Sequence, residues 1–99
     1  MLNIIKKEEE GKLLFELEGR LDTITAPDLE KDLMSSLEGI SGLLLDFEKL
    51  EYISSAGLRV LLSAHKATAG KAEMKIVHVN DIIMEIFETT GFSDILDIQ

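Results

Sequence analysis

The segment "GLLLDF", Gly42 to Phe47, restricts the possible folds more than any other stretch of the chain. It is short, apolar apart from Asp46, and led by glycine. That pattern predicts a central strand buried on both faces rather than a half-exposed one. Helical and strand-like patterns alternate on either side of it. Upstream, "LNIIKKEEEGKLLFELEGRL" reads as two strands around a turn at Glu9-Glu10-Gly11, because Leu13, Phe15 and Leu17 alternate with polar neighbours at period two. The acidic run Glu8 to Glu10 reads as a solvated turn whose charge keeps the sheet edge from pairing with other chains.

Between these strands and the central one lies "DTITAPDLEKDLMSSLEGI". Thr25 and Asp28 stand in capping-box spacing, and Pro27 falls in the first turn, where its missing N–H costs nothing. A helix is predicted from about Ala26, with Leu29, Leu33 and Leu37 on one face and Gly39 as its stop. Downstream, "SSAGLRVLLSAHKATAG" predicts a helix with Leu58, Leu61, Leu62, His65 and Ala69 on a buried stripe and Arg59, Ser63, Lys66 and Gly70 on a wet one. "EMKIVHV" is the next strand, Asn80 the N-cap of a helix over "DIIMEIFETTG" that ends at Gly91, and "DILDI" a short last strand. In that last helix Ile82, Met84 and Ile86 cannot all share a face with Ile83 and Phe87, so some of these side chains face either core or partner. Strands alternating with helices after a hairpin imply an α/β fold: a mixed sheet of four to five strands with right-handed crossovers and helices packed on it.

A chain of 99 residues fits one domain, residues 1–99, with a single core and no deep cleft between lobes. No apolar run approaches the roughly 20 residues of a membrane span, and no leader pattern opens the sequence, so a cytoplasmic chain without membrane insertion is expected. The absence of cysteine excludes a disulfide framework, a thiolate nucleophile and a Cys-ligated zinc. A net charge of -9 repels phosphate backbones and anionic membranes, which disfavours direct nucleic-acid binding and points to a protein partner with a basic face. The glycines match neither a dinucleotide fingerprint nor a phosphate loop, and the scattered acids assemble no metal set by spacing. No cofactor or metal is expected.

The chemistry-bearing stretch is "YISSAGLRVLL", Tyr52 to Leu62. Its two adjacent serines form a cap, a nucleophile or a switch. With Ser54 as N-cap, Ser55 is the first helical residue, beside free backbone N–H groups and the positive end of the helix dipole. It shares the polar stripe of Arg59, Ser63 and Lys66, so it points outward. A serine nucleophile needs a base and an oxyanion site. The only histidines are His65, on the predicted apolar stripe, and His78, at a strand end, and the G-x-S-x-G elbow is absent. The chain is therefore not expected to be an enzyme.

Over nearly its whole length the chain resembles a STAS domain of the anti-sigma factor antagonist family. "EGRLDTITAPDLEKDL" resembles the second strand and first helix of that family, "LLLDFEKLEYISSAGLRVLL" its signature segment, and "VNDIIMEIFETTGFSDILDI" its third helix and closing strand. The resemblance implies a partner-switching regulator. Its unphosphorylated form binds an anti-sigma factor that is also a serine kinase and so releases a sigma factor; the kinase phosphorylates it, and a serine phosphatase restores the unphosphorylated form. The phosphoacceptor then falls on Ser55, followed by Gly57 and Leu58 as in the family, and Ser54, Ser55, Gly57 and Leu58 are expected among the partner contacts. Asp22, Thr23 and Arg59 form the rim of the docking surface, and Gly57 allows close approach. Many members carry Asp before the acceptor; here Ser54 stands there, as a cap or a competing acceptor. The same fold also serves as a constitutive interaction subunit of membrane transport complexes, the alternative reading. A monomer or weak homodimer is expected.

Overall fold

The computed structural model describes all 99 residues, Met1–Gln99. It opens with strands β1 (Leu2–Glu9) and β2 (Lys12–Leu21), paired antiparallel with Glu9 opposite Lys12. The two linking residues both take positive φ, 52° at Glu10 and 79° at Gly11. Two such values mark the type I′ turn, whose twist matches that of the flanking strands. The hairpin is thus the predicted one, tightened by a residue.

Helix and strand then alternate: α1 (Ala26–Ser36), β3 (Gly42–Ile53), α2 (Ser55–Thr68), β4 (Glu73–Val77), α3 (Asp81–Thr90), a 3-10 turn at Phe92–Asp94, and β5 (Asp97–Ile98). The strands lie in sequence order, β1-β2-β3-β4-β5, and every pair after the first is parallel. Each crossover moves one place in the same direction, so right-handed connections put all the helices on one face. Against that face alternate strand residues are buried: Leu13, Phe15 and Leu17 of β2, Leu43, Leu45 and Phe47 of β3, Met74 and Ile76 of β4. They join Leu29 and Leu33 of α1, Leu61 and Ala64 of α2, and Ile83 and Phe87 of α3 in one cluster. The rings of Phe47 and Phe87 meet tilted, with centroids 6.4 Å apart, inside the favoured range for aromatic pairs.

The central strand departs from its expected burial. Leu44 and Asp46, on the face away from the helices, are only half-buried, and Leu44 lies in a row between Leu14 and Lys75. Covering that face would need a crossover that reverses the direction of strand addition, and this chain has none. Strand β4 also stops short of its prediction, because His78 has φ 59° and leaves the extended region. The closing strand shrinks to Asp97–Ile98, while Leu96 turns into the core.

Helix α2 is rotated from the expected stripe. Its buried positions are Gly57, Leu58, Val60, Leu61, Ala64 and Thr68, whereas Leu62 and His65 are half-buried and Ala69 is exposed. Small residues at Gly57 and Ala64 let the helix lie close against the sheet, so the inward face is not the one with the largest side chains. On α3 the caps are as predicted: Asn80 Oδ1 accepts from the Ile83 N–H at 2.8 Å, and Gly91 closes the helix in the left-handed region at φ 83°. Ile83 and Phe87 are buried, Met84 and Ile86 half-buried, and Ile82 stays 62% exposed.

Candidate partner-docking site

Strands β2 and β3 run parallel to their ends, where Leu21 pairs with Ile53 and the Ser54 N–H donates to the Leu21 carbonyl at 2.9 Å. The chain therefore leaves the sheet at two neighbouring points, entering the Asp22–Thr25 turn from one and α2 from the other. This pairing brings Asp22 beside Ser54, residues far apart in sequence.

Ser54 has extended φ/ψ and its Oγ accepts from the Gly57 N–H at 3.4 Å. It is half-buried, and Ser55, the first residue of the helix, is exposed. Arg59, one turn on, and Thr23 are exposed too. Gly57 and Leu58, expected among the partner contacts, are buried, Leu58 with 6% of its surface exposed. A Cβ at Gly57 would lie 2.7 Å from Ile53 Cγ1 and 2.8 Å from Leu21 Cγ. The close approach that this glycine permits is between the first turn of α2 and the ends of β2 and β3. It fixes how deep the helix start sits.

The turn before α1 is built by Asp22 rather than by the predicted capping box. Thr25 stands at the N-cap position with helical φ/ψ and makes no side-chain cap. Its Oγ1 instead accepts the Asp22 N–H at 2.9 Å and lies 2.9 Å from the Arg20 carbonyl. Asp22 Oδ1 accepts from the N–H groups of Ile24 at 3.0 Å and Thr25 at 3.1 Å. The Thr25 N–H above all, helped by the Ile24 N–H and the Thr25 hydroxyl against some desolvation, holds the Asp22 carboxyl below the ordinary carboxylate range. A reciprocal turn of this kind removes the hydroxyl that a capping box needs.

The structure assembles one further group that spacing did not reveal. His78 Nδ1 lies 2.9 Å from Asp46 Oδ1, and the ligand atoms of Asp46, Glu48 and His78 fall within 4.8 Å of one another. Asp46 pairs with Val77 across β3 and β4, so His78 follows directly beside it. The Asp46 hydrogen bond raises the His78 imidazole above its ordinary value; burial pushes the Asp46 carboxyl up, but the Glu48 N–H and His78 outweigh it and leave it lowered. These three side chains are the donors that could hold a metal. Glu48 and His78 are exposed, and the His78 imidazole and Asp46 carboxylate already partner one another. Neither histidine reaches Ser55 with a hydrogen bond: His78 is paired with Asp46, and His65 lies ten residues along α2.

The profile of the STAS domain family matches residues 3–99. The chain belongs to the STAS domain family. Among its relatives, the anti-sigma-B factor antagonist of Listeria monocytogenes is 30% identical over 98 residues, 96% of this chain and 85% of that protein. The crystal structure of an anti-sigma factor antagonist from Mycobacterium paratuberculosis shares the fold with a TM-score of 0.90 at 18% identity, covering 99% of this chain and 85% of that one. SpoIIAA of Bacillus, solved in unphosphorylated and phosphorylated forms, gives a TM-score of 0.76 in both, at 12% and 13% identity, over 98% of this chain and 87% and 91% of those chains. Within this STAS domain no helix is long and apolar enough to cross a membrane.

Proposed function

We propose that this STAS protein is an anti-sigma factor antagonist, a cytoplasmic regulator that works by binding rather than by catalysis. In its unphosphorylated form it binds an anti-sigma factor with serine kinase activity and frees a sigma factor; phosphate on Ser55 ends the complex, and a serine phosphatase restores it. The observation that carries this reading is the contrast between the two serines. Ser54 is half-buried with its hydroxyl turned to the Gly57 N–H, whereas Ser55 is exposed with its hydroxyl free. Ser55 is accordingly the acceptor, and Ser54 the cap. The likeness to SpoIIAA, solved in both phosphorylation states with the same fold score, supports a switch that leaves the fold in place.

The physics of such a switch is local. Phosphate adds roughly -1.5 to -2 charge. At the start of α2 the helix dipole accommodates it, and Arg59 stands one turn along on the exposed side. In an interface that charge must be desolvated, and a penalty of about 4 kcal/mol weakens binding roughly a thousandfold. Exposed Thr23 and Arg59 and half-buried Asp22 supply the rim, while Gly57 and Leu58 set the height of the helix from beneath.

Calorimetric titration of the host's anti-sigma factor with wild type, Ser55→Ala and Ser55→Asp tests the reading. Ser55→Ala should bind like unmodified wild type, and Ser55→Asp should bind far more weakly. Equal affinity of all three would contradict the charge switch and leave a constitutive interaction module.

A further inference from the structure

The serine switch makes no use of the most exposed internal apolar side chain. Ile24 is 86% exposed at the tip of the Asp22–Thr25 turn. The turn is ordered by the hydrogen bonds to Asp22 Oδ1 from the N–H groups of Ile24 and Thr25, so the backbone that presents Ile24 loses little freedom on docking. Beside it a hollow of about 350 Å³ separates β1 from the start of α1. Leu2 and Ile4, half-buried, form its apolar floor, and the carboxylates of Asp22 and Asp28 border it.

We infer that Ile24 and the Leu2–Ile4 hollow form the apolar anchor of the docking surface, seated against an apolar side chain of a protein partner whose surrounding contact surface is basic. This rests on the reading of the chain as an anti-sigma factor antagonist. The occupant follows from charge and continuity. Two acids rim the patch, on a chain of net charge -9, so a basic surface is attracted and an acidic one repelled. The Ser54–Leu21 hydrogen bond and the Leu21–Ile53 pairing place the Asp22–Thr25 turn and Ser55 at one end of the sheet, where a single partner surface spans both. The exposed Ile82 on α3 lies in a separate hollow with Glu85, Ile86, Thr89 and Thr90 and lacks this continuity. Ser55 then decides whether the partner stays bound, and Ile24 decides how tightly and which partner is accepted.

The test is calorimetric binding of the host's purified anti-sigma factor to the unphosphorylated full chain carrying Ile24→Ala, Ile24→Val or Ile82→Ala. Truncating an anchoring interface side chain weakens binding by about tenfold or more. Ile24→Ala should therefore lose tenfold or more with an unchanged melting temperature, Ile24→Val should recover most of the loss, and Ile82→Ala should bind like wild type. A loss below tenfold for Ile24→Ala, or an equal loss for Ile82→Ala, overturns the anchor while leaving the functional reading intact. If wild type itself does not bind an anti-sigma factor, the functional reading fails and the anchor with it.

Discussion

Asn80 and Ser54 hold the same position in two helices, the N-caps of α3 and α2, and both have extended φ/ψ. Asn80 bonds in both directions: it accepts from the Ile83 N–H at 2.8 Å and donates to the Leu50 carbonyl at 3.0 Å, tying α3 to the C-terminal part of β3. Asp81 follows in the first turn and opposes the helix dipole. Ser54 makes one long contact of 3.4 Å with the Gly57 N–H, no acid stands in the first turn of α2, and the next side chain is an exposed serine. Their third helical residues differ as well. Ile83 fills the core, whereas Gly57 leaves no room for a side chain. One helix start is closed by its own residues; the other keeps its positive end uncompensated beside the residue we assign as phosphoacceptor. Capping alone therefore does not mark a functional site, and what distinguishes α2 is the group left free after capping is complete.

Substitutions at matching positions test this contrast. Gly57→Val should have the largest effect on stability, about 2–3 kcal/mol, because the atoms in its way are the inner carbons of fully buried Leu21 and Ile53. Chemical denaturation measures it, and a loss under about 1 kcal/mol would mean that α2 shifts outward at no cost. Next comes Asn80→Ala, at about 1–2 kcal/mol, since it removes a cap and leaves the Leu50 carbonyl without that donor. Ser54→Ala should cost less, about 0.5 kcal/mol, given its long contact. If the two alanine variants lose equal stability, the caps are equivalent and the distinction fails.

The smallest effect concerns pH. Asp46 raises the imidazole pKa of His78 in the folded chain above the ordinary 6.5. The contribution of this pair is complete below that ordinary value and is lost as pH rises through the raised one. For Asp22 the sign is opposite: its carboxyl is lowered, so its contribution holds above the ordinary carboxylate value and disappears as pH falls through the lowered one. Melting temperatures across neutral pH should show a shallow decline with rising pH that Asp46→Asn abolishes. Asp22→Asn should lessen the acid-side loss, the part from lowered Asp46 remaining, without touching the neutral side.

Local chemistry made much of the fold legible. The hairpin, the Asn80 cap and the Gly91 stop are each specified by residues a few positions apart, and each stands where the sequence put it. Features that depend on neighbours from another strand were not legible. Thr25 looked like a cap because its competitor, Asp22, acts through backbone N–H groups that no spacing rule registers. The buried stripe of α2 was misplaced because the inward positions Gly57 and Ala64 are small, and periodicity reads large apolar residues. The Asp46–His78 pair follows from the register of parallel strands, which a 32-residue separation conceals. At the α2 start, Ser54 and Ser55 are legible from the helix-start pattern, whereas the acceptor role of Ser55 and the place of Asp22 come from the family resemblance. The burial of Gly57 and Leu58, and the exposure of Ile24, emerged only when the helix had a sheet to pack on.

The most direct test of the account is site-resolved mass spectrometry of the chain after incubation with the host's anti-sigma factor and ATP, followed by a binding measurement on the modified form. A single phosphate on Ser55, none on Ser54, and a roughly thousandfold weaker complex are expected. Phosphate on Ser54, or an unmodified Ser55 in a chain that still binds and stays bound in the presence of ATP, would contradict it.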